Sequence, residues 1–110
     1  MERVYNKLVR DKIPDIIIKQ NETPITRILD KNEYKKEIEK KLLEECKKLI
    51  NADNYFSILD ECGDLLEVIS TYAALENITE DQIMAARIDK NEKRGAFKEH
   101  IFLEKVIEHE

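Results

Sequence analysis

Residues 38–66, IEKKLLEECKKLINADNYFSILDECGDLL, decide the fold of this 110-residue chain. On both sides of the break at residues 51–54, apolar residues recur at steps of three and four, while Lys and Glu fill most other positions. This spacing predicts two amphipathic helices, one over about 33–50 and one over about 54–76. Because the break is short, we expect the two helices to form an antiparallel hairpin.

Further helix signals flank the hairpin on both sides. The sequence TEDQ at residues 79–82 has the form of a capping box and Gly95 is a typical helix terminator, so we predict a third helix over 79–94. A short N-terminal helix is expected to begin close to Pro14. The predicted fold class is therefore mainly α, an antiparallel helical bundle in a single domain, 1–110.

Two segments have strand character instead. Residues 23–29, TPITRIL, and residues 101–107, IFLEKVI, are rich in β-branched and large apolar side chains. Each segment needs a neighbour to pair with, and we predict that they form a small two-stranded ribbon beside the bundle. A C-terminal helix over 103–107 fits the sequence almost as well.

The composition excludes several classes of protein. Two Gly and two Pro residues are too few for the turns of sandwiches, barrels and Rossmann units, and for a glycine-rich phosphate loop. Charged residues make up 39% of the chain and the net charge is −5, whereas typical domains have about 25% charged residues. This acidic balance argues against nucleic acid or an anionic membrane surface as a partner.

The sequence indicates neither membrane insertion nor export. No apolar run approaches the roughly 20 residues of a membrane span, and the N-terminus lacks the apolar core of a signal peptide. Cys46 and Cys62 match no zinc-site spacing and are too few for a disulfide framework. We therefore expect a cytoplasmic protein with no membrane partner, in which both thiols are reduced and buried.

The acidic residues of the hairpin are the informative functional feature. Projected at about 100° per residue, Glu61 falls inside an apolar arc and Asp64 at its edge, while Glu45 lies at the margin of the apolar stripe of the first helix. Residues equally far from the turn lie level across a hairpin, so Glu45 and Glu61 should face each other, with Asp64 one turn further along. No basic residue falls on the arcs of the two helices that carry these three acids.

Three converging carboxylates would repel one another, and a divalent cation is the simplest remedy. Ligands that are all oxygen atoms suit Mg²⁺ or Mn²⁺ better than zinc. An alternative stays open, because helices this rich in Glu and Lys often place an acid at a boundary position, from which its side chain reaches solvent.

Four segments of the chain, taken together, resemble a known group of enzymes. They are YNKLVRDKIP at residues 5–14, KLLEE at 41–45, ECGD at 61–64 and KNEKRGAF at 90–97. The chain resembles the MazG-like, phosphoribosyl-ATP pyrophosphohydrolase-like group of all-α NTP pyrophosphatases. The resemblance implies a homodimer or homotetramer that binds a nucleoside triphosphate with magnesium. It further implies hydrolysis between the α and β phosphates, which gives a nucleoside monophosphate and pyrophosphate.

The resemblance also implies roles for individual residues. Glu45, Glu61 and Asp64 correspond to metal ligands, and Glu44 to the residue that orients or deprotonates the attacking water. The phosphate-binding candidates by resemblance are the basic residues of the first and last segments: Lys7, Arg10, Lys12, Lys90, Lys93 and Arg94. For these six residues, solvated surface positions are the competing interpretation.

Lys48 departs from the pattern of the resembling enzymes, which have a metal-binding acid at the corresponding position. Its ammonium group has three possible roles: it displaces a metal ion, it contacts a phosphate oxygen, or it extends into solvent. Two alternative functions therefore stay open beside the enzyme. One is a family member that binds nucleotide without turnover, and the other is a helical interaction module with no nucleotide role.

Overall fold

The computed structural model describes residues 1–110 and contains four α-helices and no strand. They are α1 (Ile13–Lys19), α2 (Lys31–Asn51), α3 (Tyr55–Ala74) and α4 (Glu80–Arg94). The mainly α prediction is confirmed, and the predicted helix bounds differ from the observed ones by two residues or fewer. No helix is both long and apolar enough to cross a membrane.

The two helices of the hairpin, α2 and α3, each begin at an N-cap residue of their own. The Asp30 side chain accepts a hydrogen bond from the backbone N–H of Glu33 at 2.9 Å, which caps α2. The Asn54 side chain accepts one from the backbone N–H of Ser57 at 3.0 Å, which caps α3. Only residues 52–54 separate the helices, which pack against each other.

The core of the hairpin is small. Ile38 on α2 and Val68 on α3 are the only buried apolar residues of the chain. By contrast, α3 carries an exposed row that we call the apolar stripe, made of Phe56, Leu59, Leu66 and Ile69. Leu59 is 59% exposed and Leu66 is 65% exposed, although apolar burial is the main driving force for folding. The hairpin therefore leaves much of its apolar surface uncovered.

The chain divides into two compact units, residues 1–78 and 79–110. The second unit contains α4, whose capping box is present as predicted: the Gln82 backbone N–H donates to the Thr79 hydroxyl at 3.1 Å, and the Thr79 backbone N–H donates to the Gln82 side chain at 2.8 Å. Gly95 ends the helix at a φ of 79°, which a residue with a side chain rarely adopts. The single-domain assignment stays a prediction.

The two-stranded ribbon does not form. Residues 23–29 and 101–107 have no regular secondary structure, and the alternative C-terminal helix over 103–107 is absent as well. Ile25 and Ile101 are largely exposed, so neither side chain has the cover that a strand pair would give it. Strand propensity reflects packing against neighbours more than a backbone preference, and an isolated pair of strands is marginally stable.

Candidate metal centre

The hairpin brings together the three carboxylates predicted to bind metal. Glu45 projects from α2, and Glu61 and Asp64 project from α3. One potential ligand atom from each residue lies within 4.8 Å of the other two. We call these three residues the acidic cluster. Glu45 is only 3% exposed and the other two are half-buried, so the cluster lies partly inside the hairpin and opens to its surface.

Two oxygen atoms of the acidic cluster are buried and lack any hydrogen-bond donor. They are Oε2 of Glu45 and Oε2 of Glu61. A buried carboxylate oxygen without a donor or a cation is costly, and native structures contain few of them. These two atoms are the observation that distinguishes the cluster from ordinary surface acids.

The pKa of Glu61 is raised above its ordinary value. The first cause is the adjacent Glu45, because a proton held on Glu61 can be shared with that carboxylate. Burial raises the pKa further, as do the negative charges of Glu45 and Asp64, while Lys48 opposes the shift.

Basic residues share the helix face of Glu45, so the prediction that none falls on the same arcs as the acids is wrong. Lys48 Nζ lies 3.2 Å from Glu44 Oε1 and 3.5 Å from Glu45 Oε1. Lys41 Nζ lies 3.8 Å and 3.9 Å from the same two atoms. Hydrogen bonding to Lys48 is the first cause of the lowered Glu44 pKa, and the same contact raises the pKa of Lys48.

The N-terminal segment adds two more cations to the site. Arg10 donates a hydrogen bond from Nη2 to Asp64 Oδ1 at 2.7 Å, and Lys7 Nζ lies 3.9 Å from Glu44 Oε1. Both residues precede α1, in a part of the chain without regular secondary structure. The structure thus places two of the predicted phosphate-binding residues beside the predicted catalytic and metal-binding acids.

The other predicted phosphate-binding residues lie elsewhere. Lys12 occupies the N-cap position of α1 and is exposed. Lys90, Lys93 and Arg94 belong to the last turns of α4 in the second unit, and Lys93 pairs there with Asp89 at 3.1 Å. Their phosphate role stays a prediction.

A shallow, open cleft of about 470 Å³ adjoins the acidic cluster at the turn of the hairpin. Glu61 belongs to both the cleft and the cluster, and Lys48 lines the cleft and contacts Glu45 of the cluster. The remaining walls come from the end of α2 and the start of α3: Glu44, Lys47, Asn51, Ala52, Asp53 and Ser57. A ligand group in this cleft would contact the side chains that surround the cluster.

Two details of the site differ from the sequence analysis. Lys41 was missed, although its spacing of three and four residues from Glu44 and Glu45 is a readable helix signal. Cys62 is exposed and Cys46 is half-buried, so the prediction of two buried thiols is wrong; both cysteines are free. Cys62 lies on the exposed side of α3.

The donor set of the cluster fits a hard divalent cation. Its three residues offer only carboxylate oxygens, which suit Mg²⁺, Mn²⁺ or Ca²⁺, and no His or Cys belongs to the group. A cation would also compensate the two unpartnered oxygens. No family model, curated protein or solved structure matches this chain.

Proposed function

We propose that this chain is a Mg²⁺-dependent nucleoside triphosphate pyrophosphohydrolase. It would cleave its substrate between the α and β phosphates and release a nucleoside monophosphate and pyrophosphate. The observation that carries the proposal is the acidic cluster with its two buried, unpartnered oxygens. The resemblance of the four sequence segments to the MazG-like group supports the choice of reaction.

The acidic cluster would hold Mg²⁺, with Mn²⁺ as a substitute. When bound, the metal ion supplies the positive charge that neutralises phosphate oxygens during attack by water. Glu44 is kept ionised by Lys48 and its neighbours, which lower its pKa. A carboxylate with a lowered pKa is a weak base and a steady hydrogen-bond acceptor, so we assign Glu44 to orienting the attacking water.

The cations around the cluster would receive the phosphates. The guanidinium of Arg10 can bind a phosphate bidentately, whereas the ammonium of Lys7 acts as a point charge. In the absence of substrate they contact Asp64 and Glu44, at 2.7 Å and 3.9 Å. These contacts keep both side chains close to the place where the phosphates would bind. Lys12 and the three basic residues of α4 are further candidates by resemblance alone.

A second copy of the chain would cover the apolar stripe of α3. The stripe is exposed along most of the helix, and closure of two hairpins into a four-helix bundle would bury it. A standard stable interface buries about 800 Å² on each partner. We therefore propose a homodimer, or a homotetramer built from it.

We also place the protein in the cytoplasm, because a reducing compartment suits two free cysteines.

The test is pyrophosphate release from a panel of nucleoside triphosphates with Mg²⁺ or Mn²⁺. We expect release from at least one nucleotide, and its loss in the Glu61→Gln variant. Glu67→Gln is the matched control, because it makes the same chemical change on an exposed position of α3. A folded wild-type protein that releases no pyrophosphate from any nucleotide with either metal would refute the proposal.

A second candidate function is nucleotide binding without turnover. The contacts of Lys48 with Glu44 and Glu45 favour it, because a cation at that place competes with a metal ion. It predicts that Mg²⁺ and a nucleotide raise the melting temperature while no pyrophosphate is released. If neither ligand changes the melting temperature, the helical interaction module becomes the better account, with the apolar stripe as its surface.

A further inference from the structure

Lys48 holds a position that the proposed reaction leaves unexplained. Its ammonium group lies 3.2 Å from Glu44 Oε1 and 3.5 Å from Glu45 Oε1, so one cation contacts two neighbouring carboxylates. The helix fixes this arrangement, because Lys48 follows Glu45 by three residues and Glu44 by four, and residues at these spacings share a helix face. The contact is thus a property of α2 alone and needs no other element.

The two oxygens of Glu45 have different surroundings. Oε1 lies 3.5 Å from Lys48 Nζ and 3.9 Å from Lys41 Nζ. Oε2 is buried and has no hydrogen-bond partner. The two lysines therefore compensate the negative charge on the Oε1 side of the Glu45 carboxylate. The Oε2 side has no hydrogen-bond donor and is available to a divalent cation.

We propose that Lys48 acts as a resident cation that bridges Glu44 and Glu45 and limits the site to one divalent cation, held by Glu45, Glu61 and Asp64. A second divalent cation between Glu44 and Glu45 would compete with the ammonium for the same oxygens. The ammonium and this second cation would be like charges in contact with the same carboxylates, and like charges that close repel strongly in a partly buried site. The inference rests on the metal centre of the proposed function and adds the number of ions that the centre accepts.

The consequence of changing Lys48 is specific. In Lys48→Glu, a carboxylate would lie one turn from Glu44 and Glu45 on the same face of α2, and the local charge would change by two units. Three acids on that face would form a second oxygen-only ligand set next to the first. We therefore expect Lys48→Glu to bind one more divalent cation per chain than the wild type.

The control variant is Lys36→Glu. It makes the same change of charge on α2, but residue 36 lies nine positions before Glu45 and thus on the opposite side of the helix at about 100° per residue. Lys36 is exposed. An effect of net charge alone would appear in both variants, whereas an effect of position 48 appears only in the first.

The experiment is a titration of the full-length, nucleotide-free protein with Mn²⁺, in which electron paramagnetic resonance measures the free ion. We expect one bound Mn²⁺ per chain for the wild type and Lys36→Glu, and two for Lys48→Glu. Two ions in the wild type, one in Lys48→Glu, or two in Lys36→Glu would each overturn the inference. Wild-type protein that binds no Mn²⁺ would overturn it together with the metal centre.

A second variant keeps the inference testable if Lys48→Glu fails to fold. Lys48→Met removes the ammonium and retains the aliphatic part of a side chain that is 45% exposed. We expect it to bind one Mn²⁺ with an affinity about tenfold higher, because a repelling charge has gone. Unchanged affinity would overturn the inference. Pyrophosphate release by the wild type is measured separately, so that the two proposals can fail independently. Pyrophosphate release with two bound ions per chain would refute the inference alone. One bound ion per chain without pyrophosphate release would refute the proposed function alone.

Discussion

The two sides of α3 differ in a way that reverses the usual distribution of polar and apolar residues. The side that packs against α2 carries Glu61 and Asp64, next to the buried carboxylate of Glu45. The exposed side carries the apolar stripe, where Phe56 is 78% exposed. Soluble proteins seldom bury unpartnered carboxylate oxygens or leave a contiguous apolar patch in water. The proposed partners would explain both sides: a divalent cation would compensate the carboxylates on the first side, and a second copy of the chain would cover the apolar stripe on the second.

The small core between α2 and α3 should carry the largest share of the free energy of unfolding. We expect Ile38→Ala to lower it by about 2 to 4 kcal/mol, because truncation of a buried Ile removes apolar burial and leaves a cavity. Urea denaturation followed by circular dichroism measures the change. Ile25→Ala is the control, since Ile25 is 93% exposed and should lose no more than about 0.5 kcal/mol. Equal losses in the two variants would contradict the proposed position of the core.

The exposed side of α3 is tested by placing a charge in the apolar stripe. We expect Leu66→Glu to weaken self-association about 100-fold, because the variant would have to bury a carboxylate in the interface. Light scattering coupled to size-exclusion chromatography gives the mass of the wild type and the variant over a range of concentrations. Ile25→Glu adds the same charge outside the stripe and should leave the mass unchanged. A wild type that is monomeric at high concentration would show that a second copy does not cover the stripe.

The side facing α2 is tested by removing one charge without changing the shape of the side chain. In metal-free buffer we expect Glu61→Gln to melt at a higher temperature than the wild type, because the hydrogen bond with Glu45, burial and the negative charges of Glu45 and Asp64 all favour an uncharged side chain at this position and raise the pKa of Glu61. With Mg²⁺ added, the wild type should gain stability and Glu61→Gln should gain less. Thermal melting in chelator and in Mg²⁺ measures both effects. If Glu61→Gln lowers the metal-free melting temperature, the carboxylates are not in conflict.

The pH dependence of the metal-free protein gives the smallest expected effect. The raised pKa of Glu61 means that the folded chain binds more protons at this residue than the unfolded chain, so its contribution to stability falls as pH rises above 4.5. Glu44 has a lowered pKa and acts in the opposite direction: its stabilising contribution is present above 4.5 and is lost as pH falls through its folded pKa. Urea denaturation from pH 3 to pH 8, compared between wild type and Glu61→Gln, should show a stability difference that grows above pH 4.5. A difference that shrinks with rising pH would contradict the assigned shift.

The parts of the fold that follow local rules could be predicted from the sequence. Helices α2, α3 and α4 follow from apolar spacing and from caps whose side chains bond to the backbone three residues away. The facing of Glu45 and Glu61 follows from the short turn, because it fixes which residues lie level across the hairpin.

The parts that depend on distant contacts could not be predicted in this way. The pairing of Arg10 with Asp64 joins residues 54 positions apart, and it depends on the path of a segment without regular structure. The strand character of residues 23–29 predicted a pairing that no neighbouring surface supports. The exposure of Cys62 depends on which side of α3 packs against α2. Sequence periodicity shows that α3 has an apolar side, but it does not show whether α2 or another partner covers that side.

The central claim, that Glu45, Glu61 and Asp64 form a divalent-cation centre, is tested most directly by anomalous diffraction from crystals grown with Mn²⁺. We predict one anomalous peak per chain between the three carboxylates, with oxygen atoms of all three within about 2.0 to 2.6 Å, the range of Mg²⁺ and Ca²⁺ ligands. A structure in which the carboxylates keep their positions and no peak lies between them, at Mn²⁺ concentrations that support binding elsewhere, would contradict the claim.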